Sequence, residues 1–215
     1  MNPIKTGLAA FGLSGQVFHA PFLSLHDGFE LSVVVERTKN LAREIYPEIK
    51  TVRSFEELLQ EDIELVIVNT PDPTHYDYCR LALEAGKNVV VEKPLVFSSE
   101  QARELTALAK RKGVLLTVYQ NRRFDGDFLT VRQILRNGEL GRVVEFQSAF
   151  QRYRPQLSPI AWKEHSKERV GITYNLCSHL SDQALVLFGK PEGVWATMDT
   201  QRDGSRIDDY CYMQL

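Results

Sequence analysis

The sequence predicts a doubly wound α/β fold, a parallel sheet with helices on both faces, followed by a truncated α+β domain with a mostly antiparallel sheet. Three observations support the first half. Short apolar segments alternate with segments whose apolar residues recur at helical spacing. A glycine-rich turn follows the first apolar segment. Residues 65–68 are apolar on both faces, as buried parallel strands are.

Six strands alternating with helices are predicted in residues 1–121, which form the first domain. The predicted strands are residues 4–10, 30–36, 51–52, 65–68, 88–91 and 114–118, and the predicted helices are residues 16–25, 41–46, 55–59, 74–85 and 98–112. The first strand is an apolar run and the second is rich in β-branched residues. Right-handed crossovers between the parallel strands follow from strand twist.

Capping signals mark the ends of two of these helices. Two pairs of residues have the three-residue spacing of a capping box at a helix start: Thr74 with Asp77, and Ser98 with Gln101. Gly86 and Gly113 follow the same two helices and are natural stops.

The pattern changes near residue 120, and residues 122–215 are predicted to form a second domain. The predicted elements are helices at residues 124–137 and 174–188, and strands at residues 142–150, 193–200 and 207–215. Asp203-Gly204 predicts a hairpin between the last two strands. Because two or three strands make a poor independent sheet, this domain is predicted to be incomplete.

Composition excludes several classes of function. The 215 residues are 43% apolar, enough for a large core, and a net charge of -2 with mixed signs predicts no nucleic-acid partner. No apolar stretch is long enough to cross a bilayer and the N-terminus lacks a signal-peptide layout, so no membrane partner is expected. Cys79, Cys177 and Cys211 form no metal or redox motif, which favours a cytoplasmic location.

The turn after the first strand has the spacing of the dinucleotide-binding motif of Rossmann folds. That motif is Gly-x-Gly-x-x-Gly, and here Ala10 stands at its first position while Gly12 and Gly15 supply the other two. Gly12 lets the backbone approach a pyrophosphate, and Gly15 permits close packing of the helix on the sheet. The predicted cofactor-binding residues of the turn are Phe11, Gly12, Leu13, Ser14 and Gly15. An ordinary strand-turn-helix with small residues is the alternative.

Glu36 ends the second strand, twenty-one residues after Gly15. An acid near this position hydrogen-bonds the ribose 2′-hydroxyl of NAD, whereas an arginine there holds the 2′-phosphate of NADP. Arg37 and Thr38 follow at once, so both cofactors stay open, with a slight preference for NADP. A solvated Glu-Arg pair at a strand end is the third interpretation.

Glu92-Lys93-Pro94 follows the apolar residues 88–91 and places a lysine at the carboxyl edge of the sheet, where open α/β folds bind ligands. A partly desolvated lysine beside a cofactor can exchange a proton at neutral pH. Pro94 makes the turn rigid and permits a cis peptide bond.

Asn175 and His179 are four residues apart, so a helix places them on one face, and Asp182 follows on about the same face. Histidine titrates near neutrality and can take the proton of an alcohol during hydride transfer. A lone histidine on a helix is, however, most often structural.

Together these motifs resemble the glucose-fructose oxidoreductase and inositol dehydrogenase family, close to its scyllo-inositol dehydrogenase-like branch that uses NADP. The resemblance rests on residues 10–15 and 18–22, Thr70-Pro71 with His75, residues 85–87 with Glu92-Lys93-Pro94, residues 121–125 and 127–129, residues 152–155, and residues 174–176 with His179 and Asp182-Gln183.

The resemblance implies a nicotinamide-dependent dehydrogenase of sugars, inositols or related polyols that requires no metal. It implies that Lys93 and His179 flank the reacting carbon and that Asn175 positions the hydroxyl. The residues implied to line the cofactor cleft are Thr70, Pro71, His75, Glu92 and Asn121, with Tyr153 and Arg154 as substrate contacts.

The chain departs from the family pattern at three places. Asn175 stands where the family has an aspartate, Glu168-Arg169-Val170 replaces a glycine-rich approach, and Cys177 replaces a small residue. Family members continue through a large open sheet that builds the substrate floor and the oligomer interface, so a homo-oligomer is expected if the sheet were complete. Two alternatives remain open: a cofactor-binding protein with little turnover, acting as a sensor or interaction partner, and a fragment of a longer dehydrogenase.

Overall fold

The computed structural model describes residues 2–157 and 171–215. The contacts divide the chain into two compact units, one extending to Tyr119 and the other beginning at Gln120. The first unit is a layered α/β structure, and the second combines helices with a small antiparallel sheet.

Six parallel strands form the sheet of the first unit. They are β1 (Ile4–Leu8), β2 (Phe29–Val35), β3 (Lys50–Val52), β4 (Leu65–Val68), β5 (Asn88–Val91) and β6 (Leu116–Val118). Their order in the sheet is β3-β2-β1-β4-β5-β6. The direction of winding therefore reverses between β1 and β4, where doubly wound sheets leave a crevice for a ligand. The predicted fold class is confirmed.

Helices cover both faces of this sheet because its strands are apolar on both sides. They are α1 (Ala20–Leu25), α2 (Leu41–Ile45), α3 (Phe55–Leu59), α4 (His75–Glu84) and α5 (Ser99–Lys112). One buried cluster contains residues of α1 and α2, and the other contains residues of α3, α4 and α5. Along β2, Val33 and Val35 belong to the second cluster and Val34 to the first. This alternation is the two-residue period of a strand.

The two predicted capping boxes behave differently. The hydroxyl of Ser98 accepts a hydrogen bond from the backbone nitrogen of Gln101 at 3.2 Å, as predicted. Thr74 makes no such bond to α4, and its hydroxyl donates instead to the carbonyl of Pro71 at 2.7 Å. The prediction at Thr74 is wrong because a 3-10 turn, Asp72–Thr74, precedes α4 and gives Thr74 a helical backbone. A capping side chain needs the extended backbone that Ser98 has.

Among its described residues, the second unit contains two long helices and a hairpin. Its elements are α6 (Gly126–Arg136), α7 (Ser178–Phe188), β7 (Trp195–Asp199) and β8 (Tyr210–Gln214). A 3-10 turn, Asn121–Phe124, precedes α6, and a π-helical segment, Thr173–Cys177, leads directly into α7. The predicted hairpin is confirmed, since β7 and β8 pair antiparallel and Gly204 has the left-handed φ of 78°.

Residues 142–150 have no regular secondary structure, although their alternation predicted a strand. Alternating polarity specifies which face would be buried but provides no neighbouring chain to complete the hydrogen bonds. Within the described residues β7 and β8 pair with each other. The departure at residues 168–170 lies outside the described residues. No helix in the described ranges is both long and apolar enough to span a bilayer.

Candidate functional site

Asn69 ties the glycine-rich turn after β1 to the end of β4. Its side-chain oxygen accepts a hydrogen bond from the backbone nitrogen of Ala10 at 3.0 Å, and its side-chain nitrogen donates to the carbonyl of Ala10 at 2.9 Å. The hydroxyl of Ser14 donates to the carbonyl of Asn69 at 3.3 Å. Because Asn69 is only 5% exposed, these bonds fix the turn at the point where the sheet order reverses. Sequence reasoning missed Asn69, and its place directly after an apolar strand was the available signal.

The two glycines of the turn face different surroundings. A Cβ atom at Gly15 would lie 2.6 Å from the carbonyl oxygen of Ala10 and 3.0 Å from the side-chain nitrogen of Asn69. A Cβ atom at Gly12 would meet nothing within 4 Å. Ala10 does not have a positive φ, so an alanine at the first position of the motif costs nothing. Gly15 is thus required for packing, whereas a side chain at Gly12 would enter open space.

Phe11 and Leu13 point in different directions. The Phe11 ring is 6% exposed and packs edge-on against Tyr46, with ring centroids 6.4 Å apart. Leu13 is 75% exposed. A cofactor at this turn would therefore meet the Leu13 side chain but only the backbone of Phe11.

The carboxylate of Glu36 binds the start of α2. It accepts hydrogen bonds from the backbone nitrogens of Leu41 at 3.1 Å and Ala42 at 3.0 Å, and Glu36 is 6% exposed. Arg37 and Thr38, which follow it, are exposed. The side chain that sequence reasoning assigned to the ribose of NAD is thus engaged in holding a helix.

Arg53 makes three hydrogen bonds to the loop between Glu36 and α2. Its guanidinium donates to the carbonyl oxygens of Glu36 and Lys39, both at 2.8 Å, and to the side-chain oxygen of Asn40 at 2.8 Å. A guanidinium that makes several fixed bonds gives an exposed loop a defined shape. Nothing in the sequence pattern indicated this role for Arg53.

The turn that carries Lys93 begins where β5 ends. The backbone nitrogen of Glu92 donates to the carbonyl of Val68 at 2.9 Å, which extends the pairing with β4 by one residue. The peptide bond between Lys93 and Pro94 is cis. Lys93 is half-buried. In the sheet order β1-β4-β5, this turn and the glycine-rich turn flank the end of β4 on either side.

Two histidines contact this turn. His19 Nε2 lies 2.9 Å from Oε1 of Glu92, and His75 Nδ1 lies 2.8 Å from the carbonyl oxygen of Pro94. His75 is fully buried, so the residue that the resemblance assigned to the cofactor cleft acts from inside the protein. His19 was not predicted as a site residue.

An acid lies close to the lysine. Burial raises the pKa of Asp72, and electrostatic interactions with His75 and Lys93 oppose that shift. Asp72 belongs to the 3-10 turn after Thr70 and Pro71. The lysine, the acid and the histidine therefore interact electrostatically at the carboxyl edge of the sheet.

Thr70 and Pro71, both assigned to the cofactor cleft, are shaped by bonds within their own turn. The hydroxyl of Thr70 lies 2.6 Å from that of Thr74. The carbonyl oxygen of Pro71 accepts a bond from the backbone nitrogen of Thr74 at 2.9 Å, and its ring is exposed. These bonds fix the shape of the turn, in which Pro71 and Pro73 are exposed.

In the second unit, His179 and Asn175 lie on either side of a change in helix type. His179 is 6% exposed in the first turn of α7, whereas Asn175 is exposed in the π-helical segment before it. Sequence reasoning assumed a regular α-helix through both residues, and the wider turn of a π-helix alters their relative direction.

Asp182 binds Arg123 through both carboxylate oxygens, at 2.7 Å and 2.6 Å. The hydrogen bonding of Arg123 to this carboxylate also raises the pKa of Arg123. Gln183 donates to the carbonyl of Arg122 at 3.1 Å, so α7 holds the 3-10 turn that begins at Asn121. Both carboxylate oxygens of Asp182 are therefore engaged within the second unit.

Tyr153 and Arg154, the predicted substrate contacts, lie in a stretch without regular secondary structure. Tyr153 is 93% exposed and Arg154 is also exposed. Neither side chain is buried by the described residues of the second unit.

Comparison with protein families accounts for both units. A model described as an oxidoreductase family with an NAD-binding Rossmann fold matches residues 4–120, and a model of the GFO/IDH/MocA C-terminal domain matches residues 128–215. The chain belongs to this oxidoreductase family. The resemblance drawn from its motifs to glucose-fructose oxidoreductase and inositol dehydrogenase is thereby confirmed.

Relatives of this GFO/IDH/MocA chain include proteins with named activities. The scyllo-inositol 2-dehydrogenase (NADP(+)) of Bacillus subtilis is 39% identical over 217 residues, covering 100% of this chain and 60% of that protein. An uncharacterised oxidoreductase of Schizosaccharomyces pombe is 44% identical over 218 residues, covering 98% of this chain and 59% of its own length. A crystal structure of an oxidoreductase from Bacillus cereus has a TM-score of 0.89 at 33% identity, covering 98% of this chain and 60% of that one. The chain thus spans 59% and 60% of the two curated relatives.

Proposed function

We propose that this chain carries out, or forms part of a protein that carries out, hydride transfer between a nicotinamide cofactor and a secondary alcohol of a sugar, inositol or related polyol. The observation that carries the proposal is the geometry at the switch point. Open space beside Gly12 and a half-buried Lys93 flank the end of β4 in the sheet order β1-β4-β5. The name of the Bacillus subtilis relative supports an inositol as substrate.

When bound, the cofactor supplies the hydride acceptor or donor, and the residues of the chain manage the proton. Lys93 hydrogen-bonds the substrate oxygen and relays its proton. His179 acts as general base for oxidation and as general acid for reduction. Asn175 positions the hydroxyl, since an amide can donate and accept hydrogen bonds but cannot take up a proton.

The loop after β2 supports NADP as the cofactor. Both oxygens of Glu36 already accept backbone hydrogen bonds, while Arg37 and Thr38 are exposed beside it. The loop is held in place by Arg53, so Arg37 starts from a fixed backbone. An arginine in that position can form charge-assisted hydrogen bonds to a 2′-phosphate, which NAD lacks.

Cofactor choice is tested by titrating NADPH and NADH into Arg37→Ala and following nicotinamide fluorescence. Loss of a charge-assisted phosphate contact of about 1.5 to 3 kcal/mol weakens NADPH binding by roughly ten- to a hundredfold and leaves NADH binding unchanged. Arg103→Ala, on the exposed side of α5, removes the same charge away from the site and serves as the control. Equal weakening of both cofactors by Arg37→Ala would contradict a phosphate contact.

The role of Lys93 is tested with Lys93→Met, which keeps an unbranched apolar side chain and removes the amine. Loss of a proton-transfer group lowers kcat by about 10² to 10⁴-fold, measured with a panel of inositols and aldoses. Lys110→Met, exposed on α5, is the matched control. Unchanged turnover of Lys93→Met on an active substrate would remove the lysine from the mechanism.

A second candidate function is cofactor binding with little or no turnover. It is favoured by Asn175, an exposed amide at the place where the family pattern has an aspartate. Tight NADPH binding without turnover across the substrate panel, followed by turnover in Asn175→Asp, would establish it. Because the chain spans 59% and 60% of two curated relatives, an intact-mass measurement on the native source tests whether it is part of a longer dehydrogenase.

A further inference from the structure

Two buried histidines hold the turn that carries Lys93, and they come from opposite faces of the sheet. His19 ends the π-helical segment before α1, whose first residues pack in the cluster shared with α2. His75 begins α4, which packs in the cluster shared with α3 and α5. His19 is 4% exposed and His75 is 0% exposed. Neither ring therefore offers a surface to a ligand.

The contact from the first face is made to a side chain. Nε2 of His19 lies 2.9 Å from Oε1 of Glu92, whose side chain is 17% exposed. The His19 ring also packs on Tyr119, with centroids 4.5 Å apart, and the Tyr119 hydroxyl donates to the carbonyl of Phe18 at 3.0 Å. Packing and hydrogen bonding together restrict the ring to one orientation, so Glu92 is held on the residue before Lys93.

The contact from the second face is made to the backbone. Nδ1 of His75 lies 2.8 Å from the carbonyl oxygen of Pro94, and Nε2 lies 3.0 Å from the carbonyl oxygen of Thr70. Carbonyl oxygens only accept hydrogen bonds, so a ring nitrogen of His75 bonds its carbonyl only when that nitrogen carries a proton. A single ring thus contacts both the residue after Lys93 and the turn at the end of β4.

We propose that His19 and His75 are positioning residues for Lys93, fixing the backbone on both sides of it. A long lysine side chain delivers its amine accurately only if its own Cα is fixed, and a displacement of about 1 Å can cost a hundredfold in rate. The expected effect on catalysis rests on the proposed function, whereas the expected effect on the position of Lys93 does not. It predicts that loss of either contact changes the surroundings of the Lys93 amine without removing the cofactor site.

Matched substitutions at each histidine distinguish the effect of its polar contact from the effect of its side-chain volume. The amide nitrogen of glutamine reaches the position of Nε2, and that of asparagine reaches the position of Nδ1. His19→Gln and His75→Asn therefore retain the contact to the Lys93 turn, whereas His19→Asn and His75→Gln lose it. His26→Gln, at an exposed histidine of the same unit, is the control.

The mechanical readout does not depend on activity. Lysines of each variant are ¹³C-methylated reductively, and the Lys93 signal in the NMR spectrum is assigned by its absence in Lys93→Arg. The Lys93 resonance is expected to move in His19→Asn and His75→Gln and to stay closer to that of the wild type in His19→Gln and His75→Asn. If the two variants at each histidine give the same Lys93 resonance, the inference is wrong.

The catalytic readout uses kcat at saturating cofactor and substrate, with the Kd for NADPH measured alongside. Variants that lose the contact are expected to have a kcat at least about tenfold below their matched partners while the Kd changes little. Equal kcat values within each pair would overturn the positioning role. If the wild-type protein neither binds the cofactor nor turns over a substrate, the proposed function is wrong. The Lys93 resonance then still tests whether His19 and His75 position Lys93. If a His19 variant fails to fold, the Lys93 resonances of Glu92→Gln and Glu92→Met are compared instead, because glutamine keeps an oxygen for His19. If a His75 variant fails to fold, the His19 pair decides the inference.

Discussion

Asn69 pairs with the backbone of Ala10 as though it were a residue of a neighbouring strand. Its side chain accepts from the Ala10 nitrogen at 3.0 Å and donates to the Ala10 carbonyl at 2.9 Å. One residue earlier, the backbone nitrogen of Ala9 donates to the carbonyl of Ile67 at 2.9 Å. The amide side chain therefore continues the pairing of β1 with β4 where their backbones separate to form the crevice.

Asn69→Ala is expected to lower the free energy of unfolding by about 1 to 3 kcal/mol, because it leaves two partly buried backbone groups of Ala10 without partners. NADPH binding is expected to weaken as well, since the glycine-rich turn loses its support. Urea unfolding and fluorescence titration measure the two effects. Asn137→Ala, at an exposed asparagine, is the control. An unchanged urea midpoint for Asn69→Ala would contradict this account of the turn.

Substitution of the two glycines of the turn by alanine is expected to have different effects. Gly15→Ala forces a Cβ to within 2.6 Å of the Ala10 carbonyl, so it is expected to destabilise the fold. The cost of such overpacking is about 1 to 3 kcal/mol. Gly12→Ala meets open space, so stability stays within about 0.5 kcal/mol while NADPH binding is weakened. Thermal unfolding and cofactor titration on both variants test this, and normal NADPH affinity in Gly12→Ala would place the pyrophosphate elsewhere.

Asp72 is expected to make stability depend on pH in a defined direction. Burial raises its pKa, against the opposing interactions with His75 and Lys93. A carboxyl with a raised folded-state pKa contributes stability that is present at low pH and is lost as pH rises through that pKa. The free energy of unfolding of Asp72→Asn minus that of the wild type should therefore increase with pH. The increase should begin near the pKa of an aspartate in the unfolded chain and end above the raised pKa of the folded state. Urea unfolding across that range measures it, with Asp77→Asn, at an exposed residue of α4, as the control.

A difference between Asp72→Asn and the wild type that stays constant with pH would show that the interactions with His75 and Lys93 cancel the effect of burial, and one that shrinks as pH rises would show that they outweigh it. The Asp77→Asn control identifies any change that comes from net charge alone.

Cys79 is expected to be chemically silent in the folded protein. It is 0% exposed, and burial raises the pKa of its thiol to about 12. Because the thiolate is the reactive species, a disulfide reagent at mildly alkaline pH should modify Cys79 only after unfolding. Comparing thiol release from the wild type and Cys79→Ser, with and without urea, tests this. Rapid modification of Cys79 in the folded state would show that α4 opens locally.

The sheet and the place of the lysine could be predicted because they depend on local pattern. β4 and β5 are apolar on both faces, and a strand of that kind must be buried between two layers of helices. The position of Lys93 directly after β5 then follows from the chain, since parallel strands end at one edge. The hairpin between β7 and β8 was equally local, because it needs only a glycine turn and two alternating strands.

The partners of individual polar groups could not be predicted, because they depend on which distant segments meet. Glu36 has the spacing of a ribose ligand, yet its carboxylate binds the first backbone nitrogens of α2. Thr74 and Ser98 have the same capping-box spacing, and only Ser98 caps its helix. Residues 142–150 alternate as a strand does but lack a paired neighbour among the described residues.

The amino-acid order by itself determined the layered sheet, the glycine-rich turn at its reversal point, the edge at which Lys93 stands and the family to which the chain belongs. Tertiary structure alone decided that Asn69 holds that turn and that His19 and His75 hold Lys93 from two faces. Periodicity records how each residue faces its immediate neighbours along the chain. A hydrogen bond between residues 73 positions apart, as between His19 and Glu92, exists only once packing has brought their elements together.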